Sequence, residues 1–193
     1  MMRMELAYSL QFSLPGTPVL RYGEEIGMGE NLALPGRQAI RTAMQWDASP
    51  NAGFSAASRS DLATPVLTRG PFGPRHINVQ SQRTDPSSLL RWFEGLVRVL
   101  RECPEIGVGT PSCVDRPGPA SVLAHRFDAP EGSILLLHNL SETAATVDLS
   151  GVEGADHPWE VFANDEYEPL QPTLGRLHLT GYGYRWIRLR RGL

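Results

Sequence analysis

The pattern of the chain changes near Pro104, and that change restricts its fold more than any other feature. From Gly107 to Leu193 the sequence is a series of short β-prone runs: Val122-Leu123-Ala124, Ser133 to His138, Ala145 to Leu149, Trp159-Glu160-Val161, Leu177-His178-Leu179 and Tyr184 to Leu189. Gly, Pro, Asn and Asp turns separate them, the signature of a compact antiparallel sandwich. Upstream the periodicity is helical. Asp85 can cap a helix with Pro86 at its first position, and Leu89, Leu90, Phe93, Leu96, Val97 and Leu100 form an apolar stripe at three- and four-residue steps. That spacing predicts an amphipathic helix from Pro86 to about Glu102. The two halves define an α+β chain, with one domain over residues 1–107 and a second, all-β domain over 108–193.

The first half holds one α/β unit. Met4, Ala7, Leu10 and Leu14 recur at helical spacing until Pro15-Gly16 breaks the pattern, and Thr17 to Tyr22 follows as a β-prone run ending at Gly23. Helix, then strand, then a glycine-flanked acidic turn is the order of such a unit. Residues 37–83 are rich in Pro, Gly, Ser and Asn without sustained periodicity, and so long a connection is either functional or poorly ordered. A complete (β/α)₈ barrel takes about 250 residues. With 193 residues, this chain can hold only part of one.

Charge and composition exclude several classes of function. The net charge is −3 and every one of the 18 basic residues is Arg, scattered except for Arg185, Arg188, Arg190 and Arg191. Nucleic acid is not an expected partner. No apolar run approaches the roughly 20 residues of a membrane span, and Met1 to Glu5 lacks the form of a secretion signal. With Cys103 and Cys113 expected as reduced thiols, the chain reads as cytoplasmic. The five histidines show none of the short spacings of metal motifs, so neither a metal nor a cofactor is expected. His138 and His178 fall inside predicted strands and read as structural residues, and Cys103 as an idle thiol.

Two clusters could carry chemistry. Glu24 and Glu25 follow the predicted strand directly, at the end where sites assemble in parallel α/β architectures. Adjacent side chains on an extended backbone point in opposite directions, so the two cannot form the facing carboxylate pair of glycoside cleavage. One acidic group near a site is the most they suggest, and a structural role, with one Glu capping or pairing with an Arg, is the favoured reading. Arg37, Arg41, Gln45 and Trp46 offer fork-shaped donors, an amide and an aromatic plane suited to sugar hydroxyls and ring faces, although loop Arg and Trp residues are more commonly simple packing anchors.

Ordered along the chain, four segments carry a resemblance. Leu14 to Gly29, containing Gly23-Glu24-Glu25-Ile26-Gly27-Met28-Gly29, resembles the eighth strand and following turn of the α-amylase-superfamily barrel, glycoside hydrolase family 13. Arg41 to Trp46 with Asn51 to Ser55, then Ile77 to Gln82, then Asp85 to Leu90 resemble the segments that follow in its trehalose synthases and oligo-α-glucosidases. Ala43 departs from the Pro usual there, which restores backbone freedom to the loop. The resemblance implies a C-terminal remnant of a (β/α)₈ barrel, its last strand and helix, followed by a β-sandwich. It implies, for an intact relative, a retaining α-glucosyl enzyme acting on maltose, trehalose or a short α-glucan. The family's catalytic carboxylates lie upstream of the eighth strand, so the expected catalytic residues of this chain are none, and it should be inactive alone. Arg41 and Arg37 would then reach the sugar, Glu24 or Glu25 would orient such an Arg, Gln45 would belong to the same cluster, and Trp46 would pack the loop. The expected partners are an α-glucoside of the maltose type and the missing N-terminal catalytic portion. A non-catalytic carbohydrate-binding or accessory module is the alternative.

Overall fold

A computed structural model describes residues 1–115, 117–154 and 157–189, so Arg190 and Arg191 of the basic C-terminal run lie outside the described residues. Two compact units are present, one of Met1–Pro18 with Leu96–Leu193, the other Val19–Gly95.

The first unit is built on an antiparallel sheet of five strands in the order β1-β2-β3-β7-β5, with a second sheet of β4 and β6. The strands are β1 (Thr110–Cys113), β2 (Val122–Ala129), β3 (Gly132–Asn139), β4 (Ala145–Asp148), β5 (Trp159–Ala163), β6 (Arg176–Leu179) and β7 (Tyr184–Leu189). All six β-prone runs form strands, and β1 is an addition. Every residue of β1 is exposed, so it has no alternation to betray it, and Pro111 is tolerated because the strand lies at the sheet edge.

Strand β3 is buried along its whole length. Its register sets Leu135 opposite Ile187 and Leu137 opposite Arg185, on one face, and Leu136 opposite Trp186 and His138 opposite Tyr184, on the other. The first face joins Val147 and Leu179 of the small sheet, and Leu149 just after β4, in a continuous apolar core. Each fully buried Leu or Ile there contributes about 1.5–3 kcal/mol. The second face meets helix α1 (Met2–Ser13) through an interior polar chain. Trp186 Nε1 donates to Ser9 Oγ at 2.9 Å, and Ser9 Oγ lies 3.0 Å from His138 Nε2. His125, stacked on His138 with ring centroids 5.6 Å apart, donates from Nε2 to the Ser13 carbonyl at 2.8 Å.

This chain explains why the sequence pattern found α1 but mistook its face. The buried residues are Leu6, Ser9, Phe12 and Ser13, while Met4, Ala7 and Leu14 are exposed. Two serines occupy the inner face because the sheet presents an indole N–H and two imidazoles there, and such groups require partners when buried. Burial lowers the His138 pKa to about 3, with the neighbouring His125 adding to the shift, and burial depresses His125 in the same direction. Beyond the helices, Cys103 is buried and Cys113 exposed, and both are free thiols. Burial pushes the Cys103 thiol up to about 11, which makes it inert as a nucleophile.

The second unit has little regular structure. Thr17 to Tyr22 forms no strand, contrary to its β-prone composition. Among the described residues nothing supplies the neighbouring ladder that an isolated extended segment requires, and Val19 is 78% exposed. Helix α2 (Val79–Thr84) is capped by Asn78, whose side chain accepts from the Ser81 N–H. Helix α3 (Leu89–Arg101) begins three residues later than its Pro86 signal. Asp85 instead closes a turn, accepting from Ser87 N at 2.9 Å, and the Ser88 hydroxyl caps the helix by accepting from Arg91 N at 3.3 Å. Leu89, Phe93 and Leu96 of the expected stripe are buried, while Val97 is exposed. A single turn, α4 (Pro104–Val108), precedes the sandwich.

Candidate functional site

The acidic turn is a short 3₁₀ helix, Glu24–Ile26, enclosed by two left-handed glycines, Gly23 at φ 95° and Gly27 at φ 69°. Only glycine enters that region without strain. At Gly23 a side chain is excluded twice, because an added Cβ would also meet Met28 Sδ at 2.7 Å. The turn closes with Gly27 N donating to Glu24 O at 3.0 Å and Met28 N to Gly23 O at 2.8 Å. Glu24 and Glu25 are half-buried, and each binds its own backbone. Glu24 Oε2 accepts from Arg21 N at 3.2 Å, and Glu25 Oε2 from Gly23 N at 2.6 Å. The extended backbone assumed for this pair is a helical turn, and each carboxylate is engaged with the backbone of that turn. Among the described residues neither forms an ion pair. Arg21 has a buried Nη1 without a hydrogen-bond partner.

The second cluster divides by exposure. Arg37, in the turn Gly36–Gln38, is exposed, as is Arg41, whose backbone N–H donates to Gln38 O at 3.1 Å. Both guanidinium groups face solvent. Trp46 is 49% exposed. Its backbone is fixed on both sides, since its N–H donates to Ala52 O and its carbonyl accepts from Gln80 N, at 2.8 and 2.9 Å. Gln45 is fully buried and donates from Nε2 to Phe72 O at 3.0 Å and to Ile77 O at 2.7 Å. Both amide hydrogens are therefore committed to the backbone, and Gln45 ties 45 to the 72–77 stretch instead of presenting donors at the surface. Tyr22 does a similar task, donating from its hydroxyl to Thr42 O at 3.0 Å, and Gln82 donates to Ile26 O at 2.7 Å.

The loop after Trp46 is strained. Asn51, Ala52 and Gly53 are consecutively left-handed, at φ 56°, 57° and 68°. Ala52 holds that conformation although it is 1% exposed, and a non-glycine residue there costs on the order of 1–3 kcal/mol. Asn51 offsets part of this by donating from Nδ2 to Ser55 O at 3.0 Å and Ala57 O at 2.8 Å. A Cβ at Gly53 would meet Asp47 Oδ2 at 2.5 Å. Hydrogen bonds from Ser49 hold the Asp47 carboxyl below its usual range. Beside this loop lies a cleft of about 470 Å³ lined by Asn51, Arg59, Thr68 and Arg75, with Arg59 donating to Thr68 Oγ1 at 3.0 Å. None of Glu24, Glu25, Arg37, Arg41, Gln45 and Trp46 lines it.

Taken together, the second unit offers an exposed Arg pair, a half-exposed indole and a backbone-bound acidic turn. Fork-shaped donors and an aromatic plane are group types suited to a polar ligand. The unit's adjacent carboxylates, Glu24 and Glu25, are each bonded to the backbone of their own turn, whereas retaining glycoside cleavage needs two carboxyls held about 5–5.5 Å apart across a bond. Among the described residues no group of three His, Cys, Asp or Glu side chains could hold a metal ion, and no helix is long and apolar enough to cross a membrane.

Comparison with known proteins matches residues 1–107 to the α-amylase catalytic domain and residues 132–188 to the sucrose hydrolase-like C-terminal domain. A trehalose synthase of Pimelobacter sp. (strain R48) is 36% identical over 193 aligned residues, which cover 97% of this chain and 33% of that one. The chain thus spans about a third of the length of the trehalose synthase it matches. An amino acid transporter heavy chain of Homo sapiens is 41% identical over 94 residues, covering 45% of this chain and 13% of that one. Among solved structures, trehalose-6-phosphate hydrolase of Bacillus licheniformis superposes with a TM-score of 0.76 at 18% identity, over 98% of this chain and 39% of that one.

Proposed function

The chain belongs to the α-amylase family, and from that premise we propose that it is the C-terminal portion of a trehalose synthase-like α-glucosyl enzyme, inactive without the rest of the barrel. The observation that carries this reading is the 36% identity to a trehalose synthase along nearly the whole chain. Geometry supports the inactivity, because Glu24 and Glu25 spend their carboxylates on their own turn. Residues 1–107 would be the end of the catalytic barrel and 108–193 the accessory sandwich. The substrate would be maltose, trehalose or a short α-glucan, and the missing partner the catalytic portion of the barrel. A reducing, cytoplasmic setting belongs to the same reading, in keeping with the two free thiols.

Supporting roles follow from exposure. Arg41, and Arg37 beside it, would donate in fork geometry to sugar hydroxyls. Glu24 and Glu25 would keep the preceding turn rigid, Gln45 would hold the loop from beneath, and Trp46 would pack or cover the ring face. The test is hydrolysis and isomerisation of maltose and trehalose by the purified 193-residue chain, with product sugars resolved chromatographically. No turnover is expected; turnover by this chain alone would overturn the reading.

One observation favours a second reading, a non-catalytic accessory module. Identity reaches 41% with a protein described as a transporter heavy chain. Supplying the upstream barrel segment in trans separates the two, since restored turnover belongs only to the first.

A further inference from the structure

A second cleft, of about 650 Å³, lies in the first unit between β6 and the segment 165–175 that follows β5. Its wall includes Arg185 of β7, which is 2% exposed. A buried guanidinium is costly unless its donors are satisfied. Arg185 is satisfied on one side only. Nε is ion-paired with Glu160, and the guanidinium lies over the Tyr167 ring, 4.4 Å from its centroid, while Nη2 is buried without a hydrogen-bond partner.

The surroundings are rigid. Tyr167 donates from its hydroxyl to Asn164 Oδ1 at 2.9 Å and lies 3.1 Å from Thr180 Oγ1. Asn164 Oδ1 in turn accepts from Tyr184 N at 2.7 Å. Gly183 makes this possible, for a Cβ there would meet the Tyr167 oxygen at 2.6 Å. The Tyr167 ring is thus fixed against Arg185 before any ligand arrives, which lowers the ordering cost of binding.

The charges around the cleft decide the ligand class. Glu160 already balances Arg185. The lip carries Asp165, Glu166 and Glu168 against Arg176 and the exposed His178, so it is net acidic and repels anions. What remains is a buried donor lacking an acceptor, with the exposed carboxylates of Glu166 and Glu168 as acceptors at the rim. A hydroxyl is both. We propose that this cleft binds a neutral polyhydroxylated ligand, an α-glucosyl oligosaccharide. One hydroxyl oxygen accepts from Arg185 Nη2, and others donate to Glu166 and Glu168. The polyol class rests on this cleft alone; the α-glucosyl choice rests on the proposed function.

Amide NMR of the full chain titrated with maltotriose tests this, with cellotriose and sodium phosphate as further probes. Saturable shifts are expected at Tyr167, Thr180 and Arg185. Arg185→Lys, which keeps the charge beside Glu160 but removes Nη2, should weaken the effect about tenfold or more, the loss of one charge-assisted hydrogen bond. Glu168→Gln, on the exposed lip, should weaken it less and decides the matter if the Lys variant fails to fold. Binding of cellotriose but not maltotriose at these residues would keep the site and remove the α-glucosyl choice. Silence of all three signals to both sugars, a response to phosphate alone, or sugar shifts untouched by both variants would overturn the proposal.

Discussion

Every residue of β3 from Gly132 to Asn139 is buried, with Leu135 and Leu137 turned to the apolar core and Leu136 and His138 to the face that carries Trp186 and Tyr184. In the segment 37–77, burial is confined to the run Thr42 to Gln45 and to scattered positions such as Ala52 and Val66. The strand is held by ladder hydrogen bonds and by area removed from water. The loop segment is held by backbone turns and by single side chains, Asn51 closing its own turn while Tyr22 and Gln45 reach carbonyls 20 and 32 residues away. A packed layer spreads a loss over many neighbours, whereas a clamp localises it. The two regions should therefore fail differently, one globally and the other in place.

The contrast is sharpened most by Leu136→Ala in β3. Leu136 is fully buried, and its truncation should cost about 2–5 kcal/mol with loss of the whole first unit, read by urea unfolding. A change below about 1 kcal/mol would mean that the layer repacks around the gap.

Acid should act next most strongly, and on the same region. The folded pKa of His138 lies near 3 and that of His125 is also depressed, whereas an unfolded imidazole titrates near 6.5. Between those values the unfolded chain binds more protons at His138, so stability falls as pH drops from about 6.5 toward 3, by up to about 1.4 kcal/mol per unit for that histidine, with His125 adding in the same direction. Urea midpoints across that range should decline in the native chain, and less steeply in His138→Gln. Equal slopes would remove the histidine from the account.

Gln45→Leu probes the clamp. It leaves the carbonyls of Phe72 and Ile77 without their donor, at a cost of about 1–3 kcal/mol. Amide exchange should accelerate around residues 72–80 while β3 keeps its protection. Loss of protection in both would show that the loop is not an independent clamp. The smallest effect on stability belongs to Arg41→Ala, whose exposed side chain should leave unfolding within about 0.5 kcal/mol of the parent. In a full-length relative the same change should lower kcat/KM for maltose about tenfold, by loss of a fork-shaped contact.

How far the sequence could be read follows the same division. β-prone runs bounded by turn residues mark β2 to β7, including β3, which is buried on both faces, and β1 escapes because its exposed Thr-Pro-Ser-Cys carries no such run. The left-handed glycines of the acidic turn were legible as Gly23 and Gly27, since few other residues end a run in that way. Long-range polar contacts were not. Gln45 finds its acceptors 27 and 32 residues away, and nothing in its neighbourhood foretells that. The inner face of α1 was misread for a related reason, because Ser9 and Ser13 look like surface residues until Trp186 and His138 stand opposite them. Arg185 looked like one member of a basic tail, and only its burial between Glu160 and Tyr167 sets it apart. Its neighbour in that pattern, Tyr167, carried no signal at all beyond an aromatic in a turn-rich stretch.

The serine and histidine chain beneath α1 also bears on how such proteins recombine. Ser9 and Ser13 belong to the stretch shared with the α-amylase catalytic domain, while His125, His138 and Trp186 belong to the β-rich stretch after it. A chimera spliced at residue 107 with a foreign barrel end would inherit the imidazoles and the indole without the hydroxyls matched to them. Grafts that carry residues 1–18 along with the sandwich should express well, and grafts that leave them behind should not. The unit of inheritance, on this view, is a helix and a sheet that have learned one another's chemistry, separated in the gene by everything between.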